Sequence, residues 1–102
     1  MINDKIIETI LEKRKNLHPN DEPGFDNVWR SLTEIFTQNE EETINYLRNC
    51  PKEHLKWIKE VFDDISEEFK SEKFIDTLEY IEEKFPDLEL SVDINYAKKY
   101  LE

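Results

Sequence analysis

The sequence predicts an all-α fold: a single compact domain of about five to six short antiparallel amphipathic helices spanning residues 1–102. Three observations carry this. Gly24 is the only glycine in the chain, apolar residues recur at three-and-four spacing without strict alternation, and turn signals separate the apolar runs at short intervals. The hydrophobic fraction of 37%, with twelve aromatic residues among it, suffices for one core despite 38% charged residues.

The first segment, about Asn3 to Leu17, places Ile6, Ile7, Ile10 and Leu11 on one face, with Asn3 as cap and an Ile2–Ile7 staple. Lys13, Arg14 and Lys15 suit its C-terminus. Residues 18–26, HPNDEPGFD, hold two of the four prolines and the glycine, so they predict a loop from which the first helix docks loosely. A second helix is expected over about Asn27 to Thr37, capped by Asp26, with Trp29, Leu32 and Phe36 inward and Val28 and Ile35 at the flanks.

Asn39 with Glu42 resembles a capping box for a short third helix ending near Cys50, with Ile44 and Leu47 on its apolar side. Pro51 suits the first position of a fourth helix running to about Lys70, whose Leu55, Ile58, Phe62, Ile65 and Phe69 keep a 3,4,3,4 rhythm with Val61 on the flank. Ser71 caps a fifth, with Phe74, Ile75, Leu78, Ile81 and Phe85 buried before Pro86 stops it. A last helix is expected after Ser91, with Asp93 in its first turn, Lys98 and Lys99 in its last, and Ile94, Ala97 and Leu101 inward.

Charge narrows the function. The net charge is −11, and from Leu17 onward 22 Asp and Glu stand against 10 Lys and Arg. Such a surface repels phosphates, which disfavours nucleic acid and anionic membranes and favours a basic partner. No apolar run of membrane-spanning length and no basic region followed by an apolar stretch occurs, so a cytoplasmic location is expected.

On a wheel at about 100° per residue, Glu60, Asp63, Asp64, Glu67 and Glu68 fall within an arc of roughly 140° opposite the apolar stripe of the fourth helix. Three of the i,i+4 pairs in that arc are like-charged, each costing about 0.2 to 0.5 kcal/mol. Glu72, Asp76, Glu79 and Glu83 repeat the pattern on the fifth helix, which predicts a continuous acidic surface across the two. A solvated face that maintains solubility is the other explanation of each run. Trp57 lies on the flank of the arc and Tyr80 outside the stripe of its helix; each has the composition of an interface anchor or, alternatively, covers a neighbouring helix at the core's edge. The expected partner-binding set is therefore Trp57, Glu60, Asp63, Asp64, Glu67, Glu68, Glu79, Tyr80 and Glu83, with replacement of Trp57 by Ala weakening binding in a folded protein.

Catalytic chemistry is not indicated. Cys50 has no second cysteine for a disulfide or CxxC site and no patterned base. His18 and His54 lack metal-ligand spacing, no calcium loop occurs, and a single glycine cannot build a phosphate cradle. The expectation is a non-enzymatic protein with no metal and no cofactor.

The segments WRSLTEIF at 29–36, LKWIKEVFDDISEEFKSEKFIDTLEYIEEKFPDLEL at 55–90 and DINYA at 93–97 resemble the small acidic immunity proteins of bacterial polymorphic toxin and contact-dependent growth inhibition systems. The resemblance covers about 70 of the 102 residues and leaves out the first 25. It implies a protein that binds one cognate toxin C-terminal domain, often a nuclease with a basic substrate surface, and blocks its active site or substrate access; the free protein is expected to be a monomer. Two other functions fit the residues: an acidic nucleic-acid mimic or anti-defence inhibitor, and a helical adaptor docking through Ile6, Ile7, Ile10 and Leu11.

Overall fold

Seven α-helices and no strand account for the chain in a computed structural model covering residues 1–102: α1 (Asp4–Lys15), α2 (Glu22–Phe36), α3 (Glu40–Asn49), α4 (Lys52–Ile58), α5 (Phe62–Phe69), α6 (Glu72–Lys84) and α7 (Ser91–Tyr100). A 3-10 turn over Lys59–Val61 joins α4 to α5 as one interrupted rod, and a second over Pro86–Leu88 leads into α7. Six rods thus enclose one core, as the patterning predicts. Its radius of gyration, 13.0 Å, is that of a single compact domain of this length. No helix is long and apolar enough to cross a membrane.

Local chemistry sets the helix starts. Asn3 Oδ1 accepts from the amides of Lys5 and Ile6, Asn39 Oδ1 from Glu42 at 2.9 Å, and Ser71 Oγ from Phe74 at 3.3 Å. The Glu42 side chain does not complete a capping box; it pairs with the Met1 ammonium at 2.6 Å. Pro51 stands one residue before its expected place, as the N-cap of α4.

The start of α2 corrects the sequence reading. Residues 22–26 are helical, and the cap is Asp21, whose Oδ1 accepts from Gly24 at 2.9 Å. Pro23 fits the first turn, where an amide hydrogen has no intrahelical partner anyway. Gly24 is buried on a ridge with Val28, Leu32 and Phe36, and a Cβ there would stand 2.7 Å from Leu17 Cδ2 and 2.5 Å from its own cap, Asp21. The glycine therefore serves close packing inside a helix. On this helix Val28 is the inward residue and Trp29 is half-buried at the edge.

A second correction concerns the single fourth helix expected over 51–70. The 3-10 turn places Leu55, Ile58 and Val61 inward at spacing three, so Val61 is core and not flank. Each 3-10 residue rotates about 20° further than an α-helical one, displacing α5 from the α4 wheel by roughly 60°. Lys70 closes α5 with a left-handed backbone, φ 47°.

The core unites Ile7 and Leu11 of α1, the α2 ridge, Leu47 and Cys50, Phe62 and Ile65, Phe74, Leu78 and Ile81, with Leu88 and Leu90 ahead of α7. Helix α1 packs on α2 and α4, α6 lies against α3, and α7 packs on both α5 and α6. Burial of Ile7 and Leu11 docks α1 firmly on the core and removes most of the face on which the adaptor reading relied; Ile6 alone of that set stays exposed. Leu101, expected inward, is exposed because α7 ends at Tyr100.

Candidate functional site

The arc predicted for one straight helix divides among three destinations, because Glu60 lies inside the 3-10 turn and the other four carboxylates lie after it. The first is a junction with α1 and α2. Arg14, from the basic end of α1, forks onto Glu60 with Nε–Oε1 at 2.7 Å and Nη2–Oε2 at 2.6 Å, and Trp29 Nε1 donates to the same Oε1 at 3.0 Å. The guanidinium is also stacked, 4.6 Å from the Phe25 ring centre and 4.8 Å from that of Trp57. Trp57, half-buried, thus packs toward α1, with Lys56 Nζ 5.1 Å from its ring.

The second destination is the seat of α7. Asp63 is half-buried and accepts from the Tyr100 hydroxyl at 3.1 Å. Burial and then this carboxylate raise the Tyr100 pKa. Asp93, half-buried in the first turn of α7, has its pKa raised from the ordinary value by burial and, more weakly, by Asp63, against the opposing effect of Lys59. Lys59 itself caps the preceding turn, donating to the Leu88 carbonyl at 2.6 Å.

Asp64, Glu67 and Glu68 are exposed and, unlike the exposed Glu60, none has a cation within ion-pair distance. They form the least compensated part of the predicted set. On α6, Glu83 is exposed and unpaired, Glu79 meets Lys98 of α7 at 3.6 Å, and Tyr80 is 40% exposed with the Arg48 guanidinium 4.6 Å from its ring centre. Helix α7 therefore reaches Asp63 of α5 through Tyr100 and Glu79 of α6 through Lys98, and it interrupts the continuous acidic surface expected across the two helices.

Five of the 25 carboxylate side chains take part in ion pairs, so most of the negative charge is uncompensated by neighbours. The Lys52 ammonium beside Asp87 lowers the pKa of that carboxyl. No group of three His, Cys, Asp or Glu side chains converges as a metal site. Cys50 is buried, and that burial pushes its thiol up to about 12. Its place opposite the amino-terminal end of α1, and the Arg14 junction, are long-range contacts for which no local sequence pattern gives a signal.

Comparison with protein-family models, with curated proteins and with solved structures finds no match to this chain.

Proposed function

We propose that the protein is a non-enzymatic inhibitor that binds a basic protein surface, and that its partner is the nucleic-acid-binding domain of a bacterial toxin against which it confers immunity. The observation that carries this reading is the outer face of α5. Asp64, Glu67 and Glu68 stand exposed and unpaired there, with Asp64 and Glu68 repelling each other one turn apart, in a chain of net charge −11.

A like-charged face of this kind costs folding free energy and gains on meeting Lys and Arg. It raises the encounter rate with a basic partner and discriminates against acidic ones. A nuclease cleft built for phosphates offers the complementary field, so an acidic helix competes with its substrate. On α6, Glu83, Glu79 and Tyr80 offer a second, separate contact region. Glu60 and Trp57 act from behind the α5 face, holding α1 and the start of the rod in place.

The test is calorimetric titration of the purified protein with the C-terminal domain of a toxin encoded beside its gene, at low and moderate salt. Nanomolar or tighter association that weakens with salt is the expected result. No association at either salt would remove the toxin from the proposal.

A further inference from the structure

Helix α7 changes character along its length. Its first part is anchored, with Leu90 buried just ahead of it and Ile94 and Ala97 in the core. None of residues 98–102 is buried, and the backbone closes there through bonds that reach back only three residues, Leu101 to Lys98 at 3.2 Å and Glu102 to Lys99 at 3.1 Å. Two polar contacts tie this last turn to its neighbours. Lys98 Nζ lies 3.6 Å from Glu79 of α6, with both side chains about half-exposed, and the Tyr100 hydroxyl donates to Asp63 of α5 at 3.1 Å.

Both contacts end on carboxylates of the acidic surface. Tyr100 stands beside the α5 face itself: burial, then Asp63, Glu67 and Asp64, raise its pKa. Lys98 and Lys99 are the only cations of α7, so the helix brings its positive end to the carboxylates assigned above to a basic partner. The hold is weak. An exposed ion pair contributes little, a terminal helical turn opens at small cost, and at neutral pH the ionised Asp93 repels Asp63 across the same seat.

Cations in a last turn also answer the helix macrodipole. Lys99 meets that need as well as Lys98 does, yet has no carboxylate within ion-pair distance; its Nζ lies 5.6 Å from the Tyr96 ring centre. Resting on the assignment of the α5 face to a basic partner, we propose that the last turn of α7 is an autoinhibitory strap: Lys98 and Tyr100 occupy Glu79 and Asp63 in the free protein and leave them to the partner's cations. With the strap displaced, Asp63 joins Asp64, Glu67 and Glu68 on α5, and Glu79 joins Glu83 on α6. Binding then carries an opening cost, which lowers the affinity for a weakly basic partner and is overcome by a strongly basic one.

The test is NMR titration of the full chain with the peptide octalysine at low salt. In the saturated wild type, Cα shifts of residues 98–102 are expected to move toward coil values while those of Ile94 and Ala97 stay helical. Lys98→Gln and Lys99→Gln change the net charge equally, so Lys98→Gln should bind the peptide about threefold tighter than Lys99→Gln. Tyr100→Phe, which leaves the charge unaltered, should bind about threefold tighter than wild type. Asp64→Lys/Glu68→Lys should bind more weakly than Glu8→Lys/Glu12→Lys, a reversal of equal charge on α1; equal weakening of the two would overturn the α5 face itself. With that difference present, the strap alone is overturned by helical shifts retained at 98–102 in the saturated complex, by equal affinities of Lys98→Gln and Lys99→Gln, or by a Tyr100→Phe affinity equal to wild type.

Discussion

Ser66 shows how a single side chain departs from the chemistry around it. It is 2% exposed on the inner side of α5, among residues such as Phe62 and Ile65, and its hydroxyl has no partner. Replacing it by Ala removes the desolvation cost at little loss of volume, so Ser66→Ala should raise the unfolding free energy by about 1 kcal/mol in urea denaturation. Arg14 is the opposite case, its guanidinium forked onto Glu60 and stacked on two aromatic rings. Arg14→Ala should cost about 1 to 2 kcal/mol in the same assay, through the lost fork to Glu60 and the lost stacking on Phe25 and Trp57. Trp57→Ala should likewise lower stability, and for that reason affinity changes in this variant must be compared at equal folded fraction.

Cys50 gives a chemical check at the same scale. With its thiol raised to about 12 and its side chain buried, the thiolate fraction near pH 8 is minute, and iodoacetamide should label it only as fast as the protein unfolds.

Among the elements, α7 is the one whose seat responds to pH. Asp93 has a folded pKa above its unfolded value, so it stabilises the fold below the unfolded pKa, and that contribution is lost as pH rises through the folded pKa. At neutral pH the ionised group is a cost. Asp93→Asn should therefore raise the melting temperature at pH 7, and the gain should shrink as pH falls below the ordinary carboxylate range. An equal gain at pH 3 and pH 7 would assign it to helix capping instead.

Element by element, the legible and illegible parts of the fold separate by range. Caps at Asn3, Asn39 and Ser71 are written within three residues of the atoms they bind, and all were readable. The start of α2 is hidden because Pro and Gly signal turns, whereas here Pro23 occupies a first turn and Gly24 answers Leu17, seven residues back in the connection from α1. The break at Lys59–Val61 has no proline or glycine to announce it; the core selects it by drawing Leu55, Ile58 and Val61 to one side. From that break follows the division of the acidic arc: periodicity identifies the residues, and tertiary contacts decide that Glu60 and Asp63 are engaged by Arg14 and Tyr100 while Asp64, Glu67 and Glu68 face water unpaired.

For the whole molecule, charge is the dominant property. With most carboxylates unpaired, self-repulsion opposes compaction, and moderate salt should raise the melting temperature of the free protein while weakening a complex with a basic partner. The two effects have opposite sign, which separates screening within the protein from screening across an interface.

The central claim, that the outer face of α5 recognises a basic partner, is tested most directly by the association rate of Asp64→Lys/Glu68→Lys against wild type, measured by stopped flow at low salt with the toxin domain. The account predicts a drop of about tenfold or more that closes as salt is added. An unchanged rate in a folded double variant would contradict it.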